Sequence, residues 1–397
     1  MNLAYFYPSI YWATAVMTVE AGALEVENTN GTNYAKVSAA IGRVQSEGYE
    51  VHLPLINKAQ FAFTPDVENN GILYGLKGVS EISDNFAKEI VKNRPYSSVE
   101  DFIEKCQPQK KQMINLIKAG AFNEFGDRIK IMNDYLGSIC PKKVRITLQN
   151  MGTLIEYSLI PKDLESYVFL YNFNKYIKRT ATPDGIKLDM RAKDFINKHY
   201  PDLGGKNYLD AKVWDKTYKQ DMEKIKGWMK EEEENLIEAI HCADVSKIWQ
   251  QYCIGNISAW EMDVLGFYNA PHELAKMTME TDSILTLKEG NYKTNNVIAG
   301  TVLGKDAYKH TVTILTTEGI ITAKFTAEAF AKYNRVISQI IDGTKKVLEK
   351  SWFNKGTLVI LNGFKMGETF RVRQMSKIFA ISEDGEIKST KYRYGEG

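Results

Sequence analysis

From about residue 290 onward the hydrophobic period of this chain is two. That single feature restricts the fold of the C-terminal quarter more than any other. The segments "NVIAGTVLG", "HTVTILTTE" and "IITAKFT" read as three strands, "AEAFAKYNR" as a helix, and "TLVILNGF" and "ETFRVRQ" as two more strands. Three strands, a helix and two strands is the order of an OB-fold, a small five-stranded barrel used mainly on oligonucleotides. The alternation turns Phe370 and Val372 inward and Arg371 and Arg373 outward. Between helix and fourth strand, "VISQIIDGTKKVLEKSWFNKG" is an insertion with a basic middle.

Ligands of such barrels meet strands two and three, the loop between strands one and two, and the loop between four and five. The first loop, "GKDAYKH", offers Lys305, Tyr308, Lys309 and His310; the last, "FKMGE", offers Lys365. Lysines for phosphate and an exposed tyrosine for base stacking are what single-strand binding needs, and Arg371 and Arg373 add to that surface. The competing reading is that charged loop tips only solvate the barrel, or that the barrel docks protein.

The remaining 290 or so residues read as mainly helical. A length of 397 residues sets a prior of about two to four domains. A net charge of +2 excludes a global electrostatic pull toward DNA or membrane, so any nucleic-acid surface is a local patch. Four widely spaced cysteines without a Cys-x-x-Cys argue against a zinc ribbon or a secreted disulfide framework and suggest a reducing compartment. Five scattered histidines offer no metal-ligand spacing, and "GTVLGKD" has the wrong spacing for a phosphate loop. No catalytic centre, metal site or cofactor site is expected. The apolar N-terminus lacks a basic start and is interrupted by Tyr, Pro and Ser, so it reads as a buried helix rather than a leader.

Along the chain, "YAKVSAAIGRVQSEGYEV" places Val37, Ile41 and Val44 on one helical face and stops at Gly48. "EVHLPLIN", "QFAFTP" and "GILYGL" are short extended pieces. Two glycine turns between helix-like segments follow. The first is Lys77-Gly78-Val79-Ser80 and the second Lys118-Ala119-Gly120-Ala121. In a helix-hairpin-helix, such turns aim unpaired N–H groups outward and hold a phosphate without reading sequence. The bland alternative is an ordinary packing corner. In the middle, "DLESYVFLYNFNKYIKR" predicts an amphipathic helix, "TPDG" a turn, and "DMEKIKGWMKEEEENLIEAIHCADVSKIWQQY" one long helix with Glu231–Glu234 as its solvated face.

Taken in order, "LAYFYPSIYWATAVMT", "GYEVHLPLINKAQFAFTP", "ILYGLKGVSEIS", "RPYSSVEDFIEKC", "LIKAGAFNEFGDRIKIM" and "WEMDVLGFYNAPHEL", followed by the barrel, resemble the C-terminal half of bacterial C-family replicative DNA polymerases, the polymerase III alpha subunit. The resemblance is dense over 1–136, resumes at 260–275 and is looser over the barrel. It implies a multi-domain α+β protein with a distal fingers-like region at 1–70, a tandem helix-hairpin-helix at 71–140, a divergent and mostly helical region at 141–288, and an OB-like barrel at 289–397. By position, Lys77, Gly78, Val79, Ser80, Lys118, Ala119, Gly120 and Ala121 inherit contacts to the duplex backbone, and the barrel loops inherit a weaker contact to single-stranded template.

In that family the palm with its metal-binding aspartates would lie upstream of residue 1. The expectation is therefore that a separate chain carries the palm and its Mg2+, and that this chain does not polymerise alone. No Gln-x-x-Leu/Met-Phe clamp peptide is found, so sliding-clamp binding is not expected through this chain. Tyr5, Phe6, Tyr7, Tyr11 and Trp12 form an aromatic N-terminal cluster suited to the partner chain, or else packed within the fingers remnant. A cytoplasmic site in a bacterium or a phage-infected cell follows from the resemblance. The alternative function is a stand-alone DNA-binding accessory protein derived from a polymerase fragment.

Overall fold

The computed structural model describes residues 9–21, 34–183, 185–205, 207–341, 344–382 and 384–390. The chain divides into two units, one made of Met1–Met132 with Cys253–Gly397 and the other of Asn133–Tyr252.

The first unit begins with helices α1 (Ser9–Glu20) and α2 (Tyr34–Ser46). Val37, Ile41 and Val44 are all buried on α2, as their spacing requires, and Gly48 beyond it adopts φ 87°. A small sheet follows, of β1 (Glu50–His52), β2 (Thr64–Asp66) and β3 (Gly71–Leu73), in the order β1-β3-β2. Four short helices come next: α3 (Asp84–Lys92), α4 (Val99–Cys106), α5 (Lys110–Lys118) and α6 (Arg128–Ile139), the last of which begins in this unit and ends in the second. Their starts are written locally. Ser83 Oγ accepts the Phe86 N–H at 3.3 Å, Ser98 Oγ the Asp101 N–H at 3.2 Å, and Gln112 Oε1 the Gln109 N–H at 2.9 Å.

The second unit contains α7 (Met151–Glu156), α8 (Glu165–Ile177), β4 (Ala181–Thr182), β5 (Gly185–Lys187), α9 (Met190–His199), β6 (Tyr208–Leu209), α10 (Ala211–Asp221), α11 (Glu223–Glu231) and α12 (Glu233–Tyr252). The three-stranded sheet β4-β5-β6 contributes Ile186 and Leu209 to one core with Trp214, Met222, Ile196 and Ile177. The long helix expected over 221–252 is in fact two. The chain leaves helical geometry at Glu232, and Glu233 accepts the Ile146 N–H at 2.8 Å. The glutamate run is therefore partly committed to a tertiary contact, not wholly a solvated face.

The first unit resumes with α13 (Ile257–Leu265), capped by Asn256 and ended by Gly266. The barrel is built from β7 (Asn296–Asp306), β8 (Thr311–Thr316), β9 (Gly319–Lys324), α14 (Ala327–Asn334), β10 (Ile337–Ile341), β11 (Thr344–Glu349), β12 (Leu358–Met366), β13 (Thr369–Ile381) and β14 (Ile387–Thr390). Antiparallel pairs β7–β8, β8–β9, β12–β13 and β12–β7, with a parallel β9–β13 pair, close a five-stranded ring. This is the OB order, and Phe370 and Val372 point into its core as the alternation required. The insertion of residues 336–356 forms the antiparallel hairpin β10–β11, then returns Trp352 and Phe353 to the barrel core.

Helix α13 holds the first unit together. Arg128, the first residue of α6, and Glu261 are both buried and lie 2.9 Å apart. The other oxygen of Glu261 accepts the N–H groups of Asn269 and Ala270 at 2.8 and 2.7 Å. Arg128 also donates to the Lys118 carbonyl at 3.1 Å and to Asn123 at 3.2 Å. Further along, Tyr268 meets Thr301 of β7 at 2.9 Å, and His272 Nε2 lies 3.2 Å from the Leu315 carbonyl of β8. His272 Nδ1 accepts the Leu274 N–H at 3.0 Å, so the ring is neutral, and burial pushes its pKa down to about 4.

Two outcomes are expected. Glu261→Ala strands a buried guanidinium and costs about 3–5 kcal/mol, measured as a lower calorimetric melting midpoint. Between pH 6.5 and about 4 the unfolded state binds a proton at residue 272 that the folded state refuses. Stability therefore falls as pH drops through that window, and His272→Gln flattens the fall in a denaturant titration repeated across pH.

Candidate nucleic-acid interface

The first glycine turn is built tightly. A 3-10 turn over Leu76–Gly78 leads through Val79 and Ser80 to α3. A side chain at Gly78 would come within 2.7 Å of the Tyr74 ring, so only glycine fits there. The amides are all engaged. Leu76 N–H donates to Gln60 O, Lys77 to Phe61 O, Gly78 to Gly75 O, Val79 to Leu76 O and Ser80 to Val264 O, at 2.9 to 3.1 Å. The turn therefore has no row of outward-facing N–H groups at 76–80. Its side chains remain: Lys77 Nζ pairs with Asp84 at 2.5 Å, and Glu81 stands opposite Lys111 at 3.9 Å.

The second turn is a helix C-cap. Gly120 has φ 75°, its N–H bonds to Ile117 O, and the Ala121 N–H bonds to Leu116 O, which is a Schellman motif. Ala119, Gly120 and Ala121 are buried. Lys118, expected to face a phosphate, is turned inward: its side chain is 8% exposed and its ammonium lies 2.8 Å from Asp263. The four residues 118–121 thus sit beneath the surface. The cause is the Arg128–Glu261 pair, which draws the cap against α13.

Around these two corners the exposed chemistry is different. Asn115 of α5 donates to the Ser80 carbonyl at 2.8 Å, so the first corner and α5 share one surface. Helices α4 and α5 are joined by the three residues 107–109, with Gln107 at φ 44°. The first turn of α5 carries Lys110 and Lys111 and no acidic residue, whereas α3 begins with Asp84 and α4 with Glu100 and Asp101. Only α5 among the three combines the positive end of its dipole with lysines. Sequence reasoning passed over this stretch because "QPQKKQ" contains no glycine turn.

At the barrel, Tyr308 is 94% exposed at the tip of the β7–β8 loop. The Lys309 backbone N–H is held by Asp306 at 2.9 Å, and its side chain is exposed. Lys305 donates to Asn334 at 2.5 Å, and burial lowers its pKa. His310, at φ 51°, packs its ring 5.4 Å from Phe330. The β12–β13 loop is strapped. Glu289 accepts the Gly367 N–H at 3.1 Å, Gly290 N–H donates to the Lys365 carbonyl at 3.0 Å, and Lys365 Nζ lies 3.4 Å from Leu287 O. Arg373 holds the same strap through Tyr292 O at 2.7 Å and Asn295 at 2.9 Å, while Arg371 is half-buried. The strap itself presents Tyr292 with Lys293 6.0 Å from its ring, a pair the sequence reading missed because "NYKTNN" precedes the first strand.

Of the N-terminal aromatic cluster, Tyr5, Phe6 and Tyr7 lie outside the described residues. Tyr11 and Trp12 are exposed on α1, whose buried face is Ile10, Thr14 and Met17. Among the described residues no group of three or more His, Cys, Asp or Glu is arranged to hold a metal ion, and no helix is long and apolar enough to cross a membrane.

A helix-hairpin-helix family model matches residues 48–131, which span both glycine turns and the α4–α5 connection. The chain is 36% identical over 414 aligned residues to a probable DNA polymerase, YorL, of Bacillus subtilis (strain 168) and to a DNA-directed DNA polymerase of Bacillus phage SPbeta. These alignments cover 93% of this chain but only 31% of each relative. The DNA polymerase III subunit alpha of Thermus aquaticus is 32% identical over 104 residues, 24% of this chain and 8% of that protein. Over nearly its whole length, then, the chain is homologous to a portion of these Bacillus and phage DNA polymerases, and over about a quarter of it to a polymerase III alpha subunit.

Proposed function

We propose that this chain is the DNA-gripping part of a split polymerase, holding primer–template duplex and single-stranded template while a separate chain supplies the palm and its Mg2+. One observation carries the reading: the helix-hairpin-helix region and the closed barrel with its projecting Tyr308 belong to one unit. The relatives' names add support, since both 36%-identical relatives are called DNA polymerases, one of them as probable.

In this reading, duplex phosphates rest on the first turn of α5, where Lys110 and Lys111 meet the helix dipole, with Lys77 and Ser80 alongside. These contacts ignore base sequence, as a replicative grip requires. Gly78, Val79, Gly120 and Ala121 act from beneath, by shaping the corners. The template strand meets the barrel, with Tyr308 stacking on a base and Lys309 near its phosphate. Trp12, 67% exposed beside Tyr11 on α1, suits the docking of the palm-bearing chain.

Fluorescence anisotropy on a primer–template and on a single-stranded oligonucleotide, across a salt series, tests the reading. Log affinity for both is expected to fall linearly with log salt. Replacing Lys110 and Lys111 by Glu weakens duplex binding and flattens its salt slope. Tyr308→Ala weakens single-strand binding by about tenfold. Absence of duplex binding at low salt would contradict the grip. Lys118→Glu behaves differently: it puts a carboxylate at a buried position beside the Asp263 carboxylate, so a lower melting midpoint precedes any effect on DNA.

A further inference from the structure

We propose that an aromatic groove on helices α8 and α9 of the second unit binds a nucleobase of a single DNA strand together with its phosphate. The inference rests on the reading of the chain as DNA-handling but concerns a unit to which that reading assigns no contact.

A cavity of about 250 Å3 is lined by Phe169, Asn172, Phe173, Tyr176, Arg191 and Phe195. Phe173 forms the floor, with the Phe195 ring 3.9 Å away and tilted over it. Phe169 stands 54% exposed at the rim, its ring 5.3 Å from Phe195. Phe169 continues a row of rings with Phe195 and Phe173, and a contiguous apolar patch of this kind, unlike a single exposed ring, marks a binding site. A second cavity, about 590 Å3, shares Phe169 and Phe195 with the first and is lined also by Tyr167, His199 and Tyr200. Phe169 and Phe195 therefore border both cavities.

The charge of the groove selects the occupant. Arg191 is the one charged group lining the smaller cavity. Asp189, which acts electrostatically on Arg191, also accepts the Tyr176 hydroxyl and caps α9 through the Ala192 N–H at 2.8 Å. These two bonds hold its pKa below the usual carboxylate range, so it stays ionised yet engaged. Stacking rings, an exposed amide at Asn172 and the guanidinium of the only charged lining residue match the base face, base edge and phosphate of a nucleotide. In the larger cavity Asp221 accepts the Tyr200 hydroxyl at 2.6 Å, which likewise occupies that carboxylate. A proline-rich peptide could use the rings but would leave Arg191 idle.

Photocrosslinking of the full chain to an oligothymidylate carrying 5-iododeoxyuridine, with adducts mapped by mass spectrometry, is the test. Adducts are expected on residues 167–200 as well as near Tyr308. Phe169→Ala with Arg191→Gln should lower the 167–200 adducts by about tenfold and leave those near Tyr308 unchanged. Both side chains are at the surface rim, so far-ultraviolet circular dichroism should match the parent. Adducts near Tyr308 alone would overturn the groove while preserving the DNA reading. Adducts nowhere would overturn both. Thymidine monophosphate binding as tightly as the oligonucleotide, or a polyproline peptide displacing it, would overturn the strand assignment.

Discussion

The Arg128–Glu261 pair is the interaction on which the first unit depends. A carboxylate and a guanidinium buried together are stable only when every remaining lone pair and N–H is satisfied. Here Glu261 spends one oxygen on Arg128 and the other on the amides of Asn269 and Ala270. That network joins the start of α6, the cap of α5 and the turn that leads from α13 into the barrel. The neighbouring contacts repeat the pattern: the Tyr74 hydroxyl donates to the Leu265 carbonyl at 2.7 Å, and the Tyr74 ring stacks 5.5 Å from Phe267. Lys355, beyond the hairpin insertion, donates to the Asp263 carbonyl at 2.5 Å and covers the Tyr34 ring at 3.6 Å, with burial lowering its pKa to about 8. One nine-residue helix thereby ties the N-terminal helices, the hairpin region and the barrel.

This tie changes how the glycine turns work. Their amides are consumed by carbonyls of the same unit, and Lys118 is drawn inward to Asp263. What they leave outside is a surface shaped by the turns rather than made of them. The first turn of α5 carries two lysines and no carboxylate of its own, with Glu81 3.9 Å from Lys111, and it is where dipole and charge agree. A grip of this kind is an electrostatic cradle. Its strength lies in salt-dependent phosphate contacts, and its geometry in the buried network beneath.

Much of the barrel was legible because its signal is local. Strict alternation puts Phe370 and Val372 inside whatever lies elsewhere in the chain, and strand order followed from sequence order. The α2 face of Val37, Ile41 and Val44 was legible for the same reason. The failures are all non-local. The Tyr74 hydroxyl bonds to a carbonyl 191 residues away, and the Ser80 amide to Val264. No reading of "GLKGVS" alone could show that its amides were taken. Likewise the break at Glu232 accompanies a bond from Ile146 to Glu233, which "KEEEEN" does not reveal. Lys365 read as a loop-tip charge and Arg373 as outward by alternation, yet the strap at 287–295 engages both. Residues whose role depends on a distant partner are those that pattern reasoning misplaces.

The most direct measurement is hydrogen–deuterium exchange of the full chain with and without a primer–template. The account expects slower exchange in two places on DNA binding: residues 107–112 at the start of α5, and the β7–β8 loop around Tyr308. The amides of Gly78 to Ser80 and Gly120 to Ala121, already bonded within the protein, should be slow in both states. Protection gained at those glycine-turn amides, with none at α5 or the barrel loop, would contradict it.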